Sequence, residues 1–513
     1  MASLGKKSII FGVVGLLLVA IGAVLVFVVP VIMKQQVEKN VRIDPSSGFA
    51  YEMWRDLPVP FFFSIYFFEV MNPKEILLGE KPRVQERGPY VYSERKQKTN
   101  ITFHENGTVS FVELRTLQFN PEKSVGSEDE YVVVPNILVM VSSLMTRDMS
   151  FAIKFMLNTA FVIYSQEPFM NRTVKEILWG YSDPFLDFIN TIMPNALPFK
   201  GKFGLFADFN NSDTGVFTVN TGEEDISKVQ MVDTWNGLKE VAYWHSEQAN
   251  MINGTAGQMW PPFRTPSQPL EFYSPDACRS MKLVYEKEES FRGIPTYRYT
   301  APDYLFANGT DYPPNEGFCP CLASGVMNVS SCRFNAPLFM SFPHFYKADP
   351  GFSDAVSGLH PSEQLHSMFL DLHPLTGIPM NCSIKMQISL LTMGVSGISI
   401  TGKIKPVIFP ILWFSESGYL DGPVYNTYYN TLIVLPIVLD YLQYIFIALG
   451  LCFILVAAVL PFVNQKREEI LQDTGEITRA DQCSDDAKLL EDPDYDLPQT
   501  STMDHSNICF FKG

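Results

Sequence analysis

Two uncharged apolar runs, residues 9–33 and 441–463, stand near the two ends of this 513-residue chain, and every N-glycosylation sequon lies between them. A helix needs about 20 residues to cross roughly 30 Å of hydrocarbon, and both runs exceed that. The first run is longer than the 7–15 residue core of a secretory signal, and no small-residue cleavage site follows it, so it reads as an uncleaved anchor. Lys6 and Lys7 before the first run, and Lys466 and Arg467 after the second, place both tails on the cytoplasmic side. Lys34, Lys39 and Arg42 vote the other way, which leaves the sequons to decide. They are Asn100, Asn106, Asn171, Asn210, Asn253, Asn308, Asn328 and Asn381, and glycan acceptors must face the lumen. Asp440 then marks the outer edge of the second span, because a charge at mid-membrane is costly.

The expected organisation is a cytoplasmic N-terminal tail (1–8), a first span (9–33), a glycosylated ectodomain (34–440), a second span (441–463) and an acidic cytoplasmic tail (464–513). That tail holds 5 Lys/Arg and 12 Asp/Glu, so it carries −7 of the net −16 and leaves the remainder only mildly acidic. Nothing in this balance points to nucleic acid. Forty Phe and 13% aromatic residues suit a large apolar interior.

Five of the eight cysteines fall in the ectodomain: Cys278, Cys319, Cys321, Cys332 and Cys382. An oxidising compartment lets disulfides persist there, and the odd count leaves one thiol over. The Cys319-Pro-Cys321 step could serve a metal or redox role, but clustered cysteines in a glycosylated loop read first as structural bridges.

Residues 41–130 read as strands broken by Pro and Gly. Over residues 136–181 the apolar period becomes helical through Ile137, Met140, Val141 and Leu144, then Phe151, Phe155, Ala160 and Ile163, then Val174, Ile177 and Leu178. Short runs separated by turn dipeptides resume from 203 to 400. The fold class is therefore α+β: two transmembrane helices flanking a large, mainly antiparallel ectodomain with helices inserted. No catalytic signature survives inspection. Gly397-Ile-Ser-Ile-Thr-Gly402-Lys403 resembles a phosphate-binding loop, yet Ile404 replaces the magnesium-binding hydroxyl and Pro406 disfavours the following helix. His360 and His366 lack the i,i+4 spacing of paired helix ligands, and Ser396 lacks the nucleophile elbow. A non-enzyme without cofactors is expected.

Several blocks carry a family resemblance. They are Tyr66-Phe-Phe-Glu-Val-Met-Asn-Pro, Glu86-Arg-Gly-Pro-Tyr-Val-Tyr92, Trp179-Gly-Tyr, Met251-Ile-Asn-Gly-Thr-Ala-Gly-Gln-Met-Trp-Pro-Pro262, Leu270-Glu-Phe-Tyr-Ser-Pro-Asp-Ala-Cys-Arg279 and Tyr312-Pro-Pro-Asn-Glu-Gly-Phe-Cys-Pro-Cys321. With these the chain resembles the class B scavenger receptors over about residues 9–463. The resemblance implies a β-barrel-like core, a helical apex bundle at 136–181 and an apolar tunnel. It implies a receptor at the plasma membrane, with some endosomal pool. Such a receptor docks high-density lipoprotein through its apolipoproteins and transfers cholesterol, cholesteryl ester and phospholipid without digesting the particle. It also implies disulfides Cys278–Cys332 and Cys319–Cys321, a free Cys382 near the tunnel, and homo-oligomers associating through Gly12, Gly15 and Gly22.

The chain departs from that pattern in places. The apex stretch Val162-Ile-Tyr-Ser-Gln lacks the lysine pair with which one family member recognises oxidised lipoproteins; Lys154 remains in the apex but does not inherit that role. The sequence closes on Ile508-Cys-Phe-Phe-Lys-Gly513, without the usual PDZ ligand. Asp485-Asp-Ala-Lys-Leu489-Leu490 instead fits an acidic dileucine signal for a clathrin adaptor, set in a tail expected to be disordered. Two other readings remain: a lysosomal or endosomal sorting receptor for a hydrolase, and a phagocytic receptor for anionic lipid surfaces.

Overall fold

A computed structural model describes residues 2–57, 59–192, 201–318 and 322–490. The chain divides into a helical unit holding both termini and a second compact unit over residues 34–433. The helical unit takes residues 2–33 of the helix Ala2–Val41 and the helix Leu435–Leu490, which contain the two apolar runs. Both are long and apolar enough to cross a membrane. Their packing within the unit is close. A Cβ on Gly15 would lie 2.7 Å from the Gly450 carbonyl oxygen, and one on Gly22 would lie 2.6 Å from Ile447 Cγ1. Gly12 has more room, its nearest such neighbour being Ala457 at 3.7 Å. Phe11 meets Phe453 edge-on at 5.6 Å, and the Ser8 hydroxyl donates to the Ala457 carbonyl at 2.7 Å. Small residues let two backbones approach in this way where no hydrophobic driving force exists. Gly15 and Gly22 are thus taken up within the chain.

The second unit is built on a 13-stranded sheet. Phe61–Val70 lies centrally, antiparallel to Val84–Phe103 on one side and to Val407–Tyr419 on the other. Its burial alternates, with Phe63, Ile65 and Phe67 inside, as a strand period of two requires. The outer strands Val232–Trp235 and Leu270–Ser274 are stitched together by one residue. Buried Thr255 bridges Met231 on one side and Phe272 on the other. This closure removes the unpaired edges that an open sheet would present. Gly254 makes it possible: φ is +86°, and a Cβ would lie 2.2 Å from the Glu271 carbonyl carbon.

The helices at one end largely follow the apolar period. Ile137–Met145 begins at Asn136, whose side chain accepts from the Val139 amide, and Val174–Trp179 begins with a Thr173/Glu176 capping box. Between them runs Phe151–Ile163, with Leu157, Ala160 and Phe161 buried. Inside 136–181 the sequence pattern misses one strand, Phe169–Thr173, which pairs with Tyr131–Pro135. Its Phe-Met-Asn-Arg-Thr run is too short for alternation to declare itself. A further helix, Pro184–Ile192, lies beyond the expected apex boundary.

The false phosphate loop has a structural role here. Lys154 donates to the Ser396 carbonyl at 3.0 Å, and Asn158 donates to the Gly397 carbonyl at 2.7 Å while accepting from the Ser399 amide at 2.9 Å. Residues 396–399 therefore clamp the helix Phe151–Ile163.

Candidate functional site: two chambers joined by a charged belt

The barrel interior holds two cavities. The larger, of about 590 Å³, is lined at the helical end by Ile137, Leu138 and Val141, and deeper in by Phe206, Ile388 and Phe414. The smaller, of about 190 Å³, is lined by Trp54, Phe61, Trp260, Cys382 and Ile384. Val41, Leu420 and Tyr428, from the two ends of this unit's chain, complete its wall. Strand alternation sets this lining. Cys382, Ile384 and Ile388 share one face of Ile378–Thr392, and Phe414, Glu416 and Gly418 share one face of Val407–Tyr419. The expected apolar tunnel thus takes the form of two chambers.

Where they approach each other, the lining turns ionic. Lys96, on the smaller chamber, pairs with Glu416 and lies 3.6 Å from Glu94. Arg115, on the larger chamber, lies 3.0 Å from the same Glu94 and 3.0 Å from Asp276. One carboxylate therefore contacts a lining cation of each chamber. Burial raises the Glu94 carboxyl above the usual range and the Glu416 charge adds to that, while Lys96 and Arg115 only partly offset them. Burial alone would lower the Lys96 ammonium, but Glu416 and Glu94 outweigh it and hold it above its ordinary value. Lys98 differs. Burial brings it down to about 8 despite Glu113 at 3.6 Å, and it lies over the Trp54 and Phe111 rings at 5.0 and 5.3 Å.

A continuous match to the CD36 family runs over residues 13–461. The chain belongs to the CD36 family. It is 58% identical over 458 residues to scavenger receptor class B member 1 of Sus scrofa, a match covering 89% of each chain. The Mus musculus protein of that name is 58% identical over 456 residues, again covering 89% of each chain. Lysosome membrane protein 2 of Homo sapiens is 35% identical over 436 residues, covering 84% of this chain and 89% of its own. This CD36-family chain is thus a class B scavenger receptor and a two-span membrane protein.

The residues singled out in the sequence scatter over this receptor. Cys278 and Cys332 form a disulfide with Cα atoms 6.4 Å apart, on the wall of the larger chamber. Cys319 and Cys321 lie outside the described residues. Cys382 is a free thiol on the smaller chamber, and burial pushes its pKa up to about 12. Among the sequons, Asn100, Asn106, Asn171 and Asn253 are exposed. Asn210, Asn308, Asn328 and Asn381 are half-buried, and their amides bond Leu117, Leu322, Ser330 and Asp371 respectively. Asp485, Leu489 and Leu490 fall in the last turns of the helix Leu435–Leu490, so the tail is helical that far, where disorder was expected.

One cluster went unread in the sequence. Glu86, His344 and His366 bring potential metal-ligand atoms within 4.8 Å of one another. The hydrogen bonds argue against a metal. His344 Nδ1 accepts from the His360 amide at 3.1 Å, and His366 Nδ1 accepts from the Ser362 amide at 3.0 Å. Each neutral ring therefore carries its proton on Nε2, the atom a metal would need. His344 Nε2 donates to Glu86 at 2.6 Å, and Trp413 Nε1 donates to the same oxygen at 2.7 Å. Burial holds His366 neutral, with a pKa near 4. The cluster fixes three distant segments on the barrel wall.

Proposed function

We propose that this receptor docks lipoprotein particles, high-density lipoprotein foremost, and conducts their cholesterol and cholesteryl ester through the barrel to the membrane without taking up the particle. It works at the plasma membrane with both termini cytoplasmic, and phospholipid shares the route. The observation that carries the reading is the pair of chambers: the helix Ile137–Met145 contributes to the wall of one, and residues 40–43 and 418–420 with Tyr428 contribute to the wall of the other. A largely apolar path spares a sterol ester much of the cost of hydration, about 25 cal/mol per Å² of apolar surface. Transfer then runs down a lipid gradient and needs no nucleotide. The decisive measurement uses particles labelled in both protein and a non-hydrolysable cholesteryl ether. Cells expressing the receptor should gain ether in roughly tenfold or greater excess over protein, since a path that passes lipid alone leaves the particle outside. Equal gain of both labels would mean bulk endocytosis and end the conduit reading.

The tail supports a trafficking component. An acidic lead before Leu489 and Leu490 suits a clathrin adaptor, and one relative is named as a lysosome membrane protein. Endosomal residence accompanies lipid transfer here, and a role in escorting a hydrolase is the second reading. Leu489→Ala combined with Leu490→Ala should raise the surface fraction about twofold or more by surface biotinylation. An unchanged distribution removes the sorting signal.

A further inference from the structure

The belt between the chambers has unmet hydrogen-bonding capacity in the interior. Glu94 Oε2 is fully buried and bonds to nothing. Arg115 Nε is equally buried and also lacks a hydrogen bond, because its 3.0 Å approach to Glu94 Oε1 has the contact of an ion pair without the alignment of a donor. A free acceptor and a free donor thus sit side by side on Val84–Phe103 and Thr108–Phe119, with an apolar chamber to either side. Buried polar atoms are rarely left unpaired, and those that are call for a partner. A hydroxyl group supplies what both lack, since it donates to a carboxylate oxygen and accepts from a guanidinium N–H through the same atom.

We infer that the Lys96–Glu416–Glu94–Arg115 belt is a hydroxyl-reading gate on the lipid path, closed in this structure, at which the hydroxyl of a lipid in transit replaces contacts within the belt. Its ligands are hydroxyl-bearing lipids, of which an unesterified sterol is the type. A lipid without a donor must pass the belt with Glu94 unpaired. A hydroxyl satisfies Glu94 where an ester or ether leaves it unpaired, as it already is in the closed belt, so the belt favours the free sterol while still passing the ester. The rest of the belt suits a gate. Lys96 keeps Glu416 on the smaller chamber and Arg115 keeps Asp276 on the larger, so opening strands neither cation and leaves Glu94 to the lipid hydroxyl.

The inference rests on the conduit reading, and the experiment separates the two. Full-length receptor and its Glu94→Gln variant are compared for transfer of labelled free sterol and labelled sterol ether from the same particles. Glu94→Gln keeps the shape of the side chain but removes the charge that grips both cations. The ratio of sterol to ether transferred should fall about tenfold. If the unaltered receptor moves neither lipid in excess of protein, the conduit reading fails and the gate with it. If it moves both and the variant keeps the same ratio, the gate alone is wrong. A photoreactive sterol with its diazirine near the hydroxyl, used on the unaltered receptor, guards against a variant that fails to fold. Labelling should map to residues 84–103 and 108–119, and labelling confined to other segments overturns the inference.

Discussion

Glutamate in place of both Phe151 and Phe155 should reduce particle binding about a hundredfold and leave the fold intact. The two rings are 79% and 62% exposed on the helix Phe151–Ile163, beside Val162 at 80% and Ile163 at 68%. The same helix buries Leu157, Ala160 and Phe161, so its packing and its free apolar surface are carried by different residues. An unpartnered apolar patch of this kind marks an interaction surface. Burying each ring against a particle surface contributes about 1.5 kcal/mol, the low end for an aromatic side chain, and two such terms give about two decades in affinity. Stability should move by about 0.5 kcal/mol or less per site, because the two rings stack only on each other's exposed faces and neither is buried. The check is equilibrium binding of labelled lipoprotein to cells matched for surface receptor. Normal binding by the double variant would move the docking surface elsewhere, whereas loss of surface expression would contradict the assignment of both rings to the outside.

The legible part of the fold is the part governed by period and length. The two terminal helices declare themselves by an unbroken apolar run, and Ile137–Met145, Phe151–Ile163 and Val174–Trp179 by a period near 3.6. The blocks that carried the family resemblance turn out to hold the barrel together. Arg87 ties Glu69 at 2.9 Å to Glu130 at 3.0 Å, and Tyr90 reaches the same Glu130 at 3.0 Å. Tyr66 stacks on Trp413 at 3.8 Å, and Gly254 admits the stitch that closes the sheet. Those motifs identify a scaffold more than a ligand site.

The belt and the Glu86 cluster were not legible, for one physical reason. Lys96 and Glu416 are 320 residues apart, and Glu86 and His344 are 258 apart. Nothing local marks either pair. Lys96 and Glu416 sit on strands whose alternation predicts an inward position without saying what faces it, whereas Glu86 is exposed on its strand and His344 lies in the turn Pro343–Phe345. A charged residue at an inward position of an otherwise apolar strand is the usable signal, and Glu94, Lys96 and Lys98 supply three in succession at a spacing of two. Lysine and glutamate are seldom buried without a partner, so that spacing alone forecasts an ionic layer inside the barrel.

Tryptophan at Cys382 should cut lipid transfer about tenfold or more while particle binding stays within about twofold, because the docking surface proposed above is the helix Phe151–Ile163 and the thiol lines the smaller chamber. The added indole enters existing space of about 190 Å³, so the overpacking cost stays near the low end of about 1–3 kcal/mol. Chemical blockade of the same thiol follows a different course. With its pKa at about 12 against an ordinary 9.0, Cys382 presents about a thousandfold less thiolate at neutral pH than a solvated thiol. Burial disfavours the charged form, so the thiol stays protonated until the pH approaches that value, and alkylation should quicken about tenfold for each pH unit below it. Maleimide labelling at pH 7 and 8, with Cys382→Ala subtracting the other thiols, measures that slope. Transfer activity should fall in step with labelling of Cys382 and particle binding should not. A Cys382→Trp receptor that loses binding and transfer together would place docking and conduction in one site and remove the case for a path through the barrel.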